Sequence, residues 1–330
     1  MAESTIGVTG SRAGPAAGTG SAPSLLRASA FPRGPVLVRC TAPDALSNLV
    51  AVLELAADGQ LRCGAATRRP LAATVRLVED VLVAGDYYPG DDHEDAGLGG
   101  GEPIAAFGWP VLLLSGGLAR LAGRALELTS RGEAVLGRPS YQALGVLWER
   151  WRKSVSYDEL ARIELIRGQR KAGGLTTAAS RRAAVAAGLA ALPPGVWLEV
   201  DALFAILRTQ PAPLAVARSP LARWGLYLAD PCLGSLGPAG QRAWNVLEGR
   251  YALCVLFEYA ATLGVVDVAY TGPRDARDDY RGLYGADSCD SLSRYDGLAA
   301  VRVNELGAAI LHDPGALPAL GLPGPRRDLR

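Results

Sequence analysis

The sequence predicts a mainly helical α+β protein in which small β-hairpins close two similar units, and three observations lead there. Residues 126–136 read Leu126-Glu127-Leu128-Thr129-Ser130-Arg131-Gly132-Glu133-Ala134-Val135-Leu136, and residues 301–311 read Val301-Arg302-Val303-Asn304-Glu305-Leu306-Gly307-Ala308-Ala309-Ile310-Leu311. Each is a strand of period two, then Thr or Asn at a helix-start position, then Gly, Ala and two aliphatic residues at helical spacing. Each is also preceded by a glycine-led strand, Gly117-Leu118-Ala119-Arg120-Leu121 in one case and Gly264-Val265-Val266-Asp267-Val268 in the other. The intervening segments carry apolar residues at the helical period.

Taken in chain order, the first 23 residues are dominated by Gly, Ala, Ser, Thr and Pro, which predicts a disordered tail and not a signal peptide. Residues 44–57 place Leu46, Leu49, Val50 and Leu53 on one helical face after Pro43-Asp44. A second helix is predicted over 68–84, with Pro70 in its first turn, Leu71, Val75, Val78 and Leu82 inward, and Gly85-Asp86 as its stop. Between 86 and 103 the chain carries Asp86, Asp91, Asp92, Glu94, Asp95 and Glu102 with repeated glycine and no basic residue, a solvated loop. Ile104 to Ser115 is an apolar helix, and Gly123-Arg124 can turn the first hairpin. Residues 140–192 read as helical throughout. Trp148, Trp151 and Tyr157 supply large surfaces there, Thr176-Thr177 caps an alanine-rich helix, and Pro193-Pro194-Gly195 stops it. Asp201 is placed as the cap of a helix over 202–207, and a long helix over 243–263 is apolar on more than one face, so it is expected to be buried. The stretch from Pro314 is expected to be loose.

A helix ending in Leu263-Gly264, a strand Val265-Val266-Asp267-Val268 and a return strand Val301-Arg302-Val303 closing on Leu306-Gly307 resembles the winged-helix domain. The version with Pro193-Pro194-Gly195-Val196-Trp197 upstream is similar to those of bacterial helicase-associated and regulatory proteins. The resemblance covers 195–312 and, more loosely, 44–137. It implies a disordered tail over 1–23, a winged-helix-like module over 24–139, a basic helical linker over 140–192, a second winged-helix module over 193–313 and a flexible tail over 314–330. The family commonly binds DNA, and many of its members serve instead as protein docking modules.

Charge and cysteine usage narrow the partners. A net charge of +1 demands neither nucleic acid nor membrane, so any electrostatic footprint must be local. The five cysteines are scattered without a CxxC pair, which predicts a reduced, cytoplasmic protein with no zinc site. No run of about 18 apolar residues suggests a membrane span. His93 and His312 are the two histidines, so no histidine-based triad or metal cluster can be assembled, and the glycine run 97–101 lacks the lysine and hydroxyl residue of a phosphate loop. The expectation is a protein that is not an enzyme and carries no cofactor and no metal.

Nucleic-acid contact is expected from two basic groups. One is Arg68, Arg69 and Arg76 on the second helix, with Arg120 and Arg124 on the first hairpin, because arginine neutralises backbone phosphate. The other lies in 150–182, where Arg150, Arg152, Lys153, Arg162, Arg167, Arg170, Lys171, Arg181 and Arg182 stand against Asp158, Glu159 and Glu164, nine to three. There Arg167, Arg170, Lys171, Arg181 and Arg182 form the preferred phosphate patch, beside the amides of a helix start. The bland reading of both groups is solvated helix face or internal pairing. The loop between Thr271 and Gly297 is net acidic, with Tyr280, Arg281, Tyr284, Arg294 and Tyr295 interspersed, which reads as a protein interface or as an ordered loop with an internal Asp–Arg network. The function expected is therefore non-catalytic binding of nucleic acid, double-stranded DNA above all. The alternative is an interaction subunit of a larger bacterial complex, such as a defence or chromosome-handling machine.

Overall fold

The computed structural model describes residues 35–88, 103–169, 173–229, 232, 234–237, 240–283 and 286–325. The chain opens with strand β1 (Leu37–Arg39) and helix α1 (Ala42–Ala57), where Pro43 stands at the start and Leu46, Leu49 and Leu53 point inward. Helix α2 (Ala72–Val81) begins later than its periodicity predicts. The backbone of 61–71 is committed to a ribbon instead, since Leu71 N–H bonds Arg62 O at 3.0 Å and Gly64 N–H bonds Arg69 O at 2.8 Å. Pro70 therefore sits in a bridge opposite Cys63, and Leu71 is exposed while Val75, Val78 and Leu82 are buried. Helix α3 (Ala105–Gly116) is buried almost all round and ends on Gly117, whose φ of 72° is the left-handed cap that favours glycine.

Strands β2 (Ala119–Ala122) and β3 (Ala125–Leu128) pair antiparallel about Gly123-Arg124, and α4 (Ser130–Gly137) follows at once. The second glycine-led unit has the same local construction. The central helix runs as α9 (Gln241–Trp244), a π-helical segment Asn245–Gly249, α10 (Arg250–Cys254) and a second π-helical segment Val255–Ala260. After it, Gly264 caps at φ 74°, and strands β7 (Val266–Tyr270) and β8 (Leu298–Val303) pair antiparallel before α11 (Glu305–His312). Thr129 accepts from Gly132 N–H at 3.2 Å, and Asn304 accepts from Gly307 N–H at 2.9 Å. Both glycines are there for closeness: a Cβ on Gly132 would overlap Leu118 O, and one on Gly307 would overlap Val265 O. The repeat read in the sequence is thus a repeat of backbone packing, a short helix laid against the first residue of its own hairpin.

The two hairpins sit in different surroundings. β2–β3 is a two-stranded ribbon, whereas β7 and β8 are the middle of a four-stranded antiparallel sheet in the order β1-β7-β8-β5, with β5 spanning Trp197–Glu199. β1 belongs to the first half of the chain, so the sheet joins the halves. Asp267 fastens that junction: it accepts from Thr41 N–H at 3.0 Å and from Asn304 Nδ2 at 2.9 Å, and it pairs with Arg302 at 2.6 Å. α3 and the central helix also meet, because Gly108 leaves room for the Glu258 carbonyl. One apolar cluster runs from Leu46 through Trp109 and Trp151 to Leu256 and Ile310.

Several expectations change here. The middle of the chain is not wholly helical: after α5 (Tyr141–Lys153) come a 3₁₀ turn (Glu159–Arg162) and β4 (Ile166–Arg167), which pairs with β6 (Tyr227–Leu228) before α6 (Ala178–Ala190) packs on α5. Helix α7 (Val200–Thr209) starts on Glu199, and Asp201, placed as its cap, lies in the first turn and pairs with Arg277. α8 (Pro220–Arg223) is a single turn. From Pro314 to Ala319 the chain forms a 3₁₀ helix rather than a loose end, with Leu317 buried beside Gly145 and the Tyr141 hydroxyl donating to Pro323 O at 2.8 Å. The predicted 1–23 tail and the acidic stretch 89–102 lie outside the described residues. Among those described, no helix is long and apolar enough to cross a membrane.

Candidate nucleic-acid interface

The first ribbon is wider than its hairpin. Leu126 N–H bonds Leu61 O at 3.0 Å and Cys63 N–H bonds Arg124 O at 2.8 Å, so 61–63 lies along β3 as a further edge, and 69–71 lies beyond it. Side chains alternate across such a ribbon. Leu61, Cys63 and Leu126 turn inward with no exposed surface, and burial pushes the Cys63 thiol up to about 12. Arg62, Arg120 and Glu127 turn outward, and Arg120 meets Glu127 across the strands at 3.0 Å. The Thr74 hydroxyl accepts from Arg62 N–H at 2.7 Å and donates to Arg62 O at 2.8 Å, which fixes the start of α2 to the ribbon.

Two turn tips carry arginine. Arg124 follows Gly123, whose φ is 62°, and Arg68 itself adopts φ 57°, the left-handed region that costs a branched side chain energy. Cys63 lies opposite Arg124 on one side and Pro70 on the other, so both turns belong to one ribbon. Arg76 is exposed on α2 and Arg131 on the first turn of α4. Within 61–76 and 119–131 the charges are Arg62, Arg68, Arg69, Arg76, Arg120, Arg124 and Arg131 against Glu127, seven to one. Arg69 is half-buried, with its guanidinium 5.4 Å from the centre of the Phe107 ring. Arg62, which the sequence reading left aside, and Arg131 thus join the arginines it expected here. The alternation Leu61-Arg62-Cys63, apolar then charged then apolar, was the signal for Arg62.

The other expected patch comes apart. Arg167 is exposed on β4, and Arg170 and Lys171 lie outside the described residues. Arg181 and Arg182 are interior side chains, 1% and 0% exposed, and do not reach a surface phosphate. Arg181 pairs with Asp158 at 2.6 Å and lies over the Tyr251 ring. Arg182 straddles the Glu159 carboxylate and donates to the carbonyls of Trp151, Ser154 and Tyr157 at 2.5–2.7 Å. A buried guanidinium must find partners for its donors, and Arg182 finds them all within the protein.

The expected protein interface is also mostly internal. Tyr280 is buried and donates to Cys289 O at 2.8 Å, and Tyr295 is buried with its hydroxyl on Glu258. Arg294 is buried and pairs with Glu164 at 2.9 Å, half-buried Arg281 pairs with Asp275 at 2.8 Å, and Tyr284 lies outside the described residues. The Asp–Arg network is the reading that fits. Its centre is Arg250, fully buried, which takes Asp296 at 3.1 Å and Asp279 at 2.7 Å, while Arg277 takes Asp279 at 3.1 Å. Burial alone would raise the Asp279 carboxyl, but the guanidiniums of Arg250 and Arg277 outweigh it and hold it at about 2.

The central helix carries more of the same. Glu248 takes Arg223 at 2.8 Å, and Glu258 takes Arg162 at 2.8 Å. Each of these ion pairs connects the helix to a different segment of chain, so the interior arginines work as ties. His312 is exposed at the end of α11, His93 lies outside the described residues, and no group of three His, Cys, Asp or Glu side chains converges among the described residues. No family model, no curated protein and no solved structure matches this chain.

Proposed function

We propose that the chain binds nucleic acid, double-stranded DNA above all, without catalysing a reaction, and that the arginine-fringed first ribbon makes the contact. The observation that carries this reading is the cluster of exposed arginines at Arg62, Arg68, Arg76, Arg120 and Arg124, which outnumber the exposed carboxylates beside them, Asp58, Asp80, Glu127 and Glu133. Exposed guanidinium groups on turn tips suit backbone phosphates, and neutralising phosphate is the main source of affinity that does not depend on sequence. We further propose that each half is a winged-helix module. Support comes from the connectivity, helix, short strand, two helices and a hairpin, interrupted in the second half by α8 and β6 between its two helices, with the short strand beside the hairpin's second strand in both halves.

Winged helices usually read bases with their third helix. The corresponding elements here are α3 and the central helix, and both are buried against each other. The binding proposed is consequently to the phosphate backbone and not to base edges. Fluorescence anisotropy with labelled duplexes of unrelated sequence tests it: similar affinities that fall steeply with salt are expected, and the absence of binding at low salt would overturn it.

A docking role in a larger assembly is the second reading. Leu221 and Trp224, 79% and 57% exposed and one helical turn apart on and after α8, favour it, since tryptophan is enriched at interface centres and adjacent exposed apolar residues mark docking surfaces. Recovery of one stoichiometric partner that Trp224→Ser abolishes, with no duplex binding by the wild-type chain, would favour that reading over the first.

A further inference from the structure

At the seam between the halves, a half-open pocket of about 20 Å³ lies among Thr41, Asp44 and Asn48 at the start of α1, Trp109 on α3, and Thr262 just after the central helix. Its lining mixes these polar residues and Arg39 with Ala45, Ala84, Ala105 and Ala261. Trp109 is completely buried and Thr262 is 5% exposed, and the Trp109 Nε1 and Thr262 Oγ1 atoms are both buried without a hydrogen-bond partner. A buried polar group left unmatched costs free energy, and the two residues that carry these atoms line one small space.

The space is too small for a metabolite and large enough for one water, which needs at least about 10–15 Å³ and two to four polar neighbours. The surrounding chemistry supplies them. The indole N–H can only donate, whereas the threonine hydroxyl can accept. A water between them would accept from Trp109, donate to Thr262 and keep one hydrogen for the carboxylate side of the cavity, where Asp44 stands. Asn48 uses its carbonyl oxygen on Val83 N–H at 2.8 Å, which leaves its amide hydrogens turned to donate. We infer that one long-lived water is a structural part of this protein, bridging Trp109 in the first half to Thr262 in the second.

The position gives that water a role. It lies beside Thr41, whose hydroxyl donates to Val266 O at 2.7 Å, the place where the first half is fastened to the sheet of the second. Because Trp109 and Thr262 each supply one polar atom to the water, the bridge weakens if either is removed.

Nuclear magnetic resonance on the full chain tests the inference. Among the six tryptophan indoles, the Trp109 Nε1–H signal is expected to show a cross-peak to water with the sign of a long-lived contact, and Thr262→Val is expected to remove most of it while Thr262→Ser retains it. In thermal unfolding, the Trp109→Phe, Thr262→Val double variant should lose less than the sum of the two single losses, because both act on one bridge. A Trp109 indole without any long-lived water contact overturns the inference, and this reading needs no variant that might fail to fold. So would single losses that add in full.

Discussion

Removing charge from the first ribbon should change how binding responds to salt, and by an amount that can be worked out beforehand. The perturbation is Arg62→Ala, Arg68→Gly, Arg120→Ala and Arg124→Ala together. All four side chains are exposed, and glycine suits position 68 because the backbone there has φ 57°. Each exposed substitution should alter stability by no more than about 0.5 kcal/mol. If each arginine neutralises one phosphate, the slope of log affinity against log salt should flatten by about 0.9 for each, about 3.6 in all. Across a fourfold change in salt that corresponds to about a 150-fold difference in the response of the two proteins. Anisotropy titrations of a labelled duplex from about 50 to about 200 mM salt read it directly, with circular dichroism to show that both chains are folded. A folded variant with the slope of the wild type would refute the assignment of phosphate contact to this ribbon.

The interior arginines should behave in the opposite way. Arg182→Met leaves Glu159 with no cationic partner, only the Tyr251 hydroxyl at 3.0 Å, and strips the guanidinium from three buried or half-buried carbonyl oxygens, so it should cost about 3–5 kcal/mol in chemical denaturation. A loss under about 1 kcal/mol would contradict the pairing. Gly132→Ala and Gly307→Ala should each destabilise by about 2 kcal/mol or more by pushing a short helix off its hairpin, and unfolding midpoints that match the wild type would remove the close-packing argument. Asp279, held at about 2 in the folded chain, sits below its unfolded value of about 3.9, so the stability it contributes is present above about pH 4 and lost as pH falls toward 2. That contribution is on the order of 2 kcal/mol, and Asp279→Asn should be less stable than the wild type at neutral pH with the difference closing in acid. Parallel acid-unfolding curves for the two chains would refute it.

Legibility differed by the range of the physics involved. The amphipathic face of α1, the apolar run of α3, the two glycine-led hairpins and the Thr129 and Asn304 caps were readable because each depends on residues within a few positions of one another. The start of α2 was not, since local periodicity extends through Pro70 and Leu71 while the ribbon bonds of 61–71 take that backbone for a strand. The fate of the basic middle segment was hidden for a related reason. A run of arginines looks the same whether it faces water or a carboxylate 23 positions away, as Arg181 and Arg182 do with Asp158 and Glu159.

By itself the sequence determined local units: the helical face of α1, the apolar helix α3, the strand pairs on either side of Gly123-Arg124 and after Gly264, the Thr129 and Asn304 caps, and an interior place for the long helix read over 243–263. Only the tertiary structure decided the roles of the charges and the place of each hairpin. It put β7 and β8 in the middle of a sheet that β1 completes and left β2–β3 at the surface. It turned Arg162, Arg182, Arg223 and Arg250 into interior ties while Arg68 and Arg124 remained on turn tips. The physical reason is that a charge is judged by what surrounds it in space, through burial and partner distance, and neither quantity is written in the order of residues along the chain.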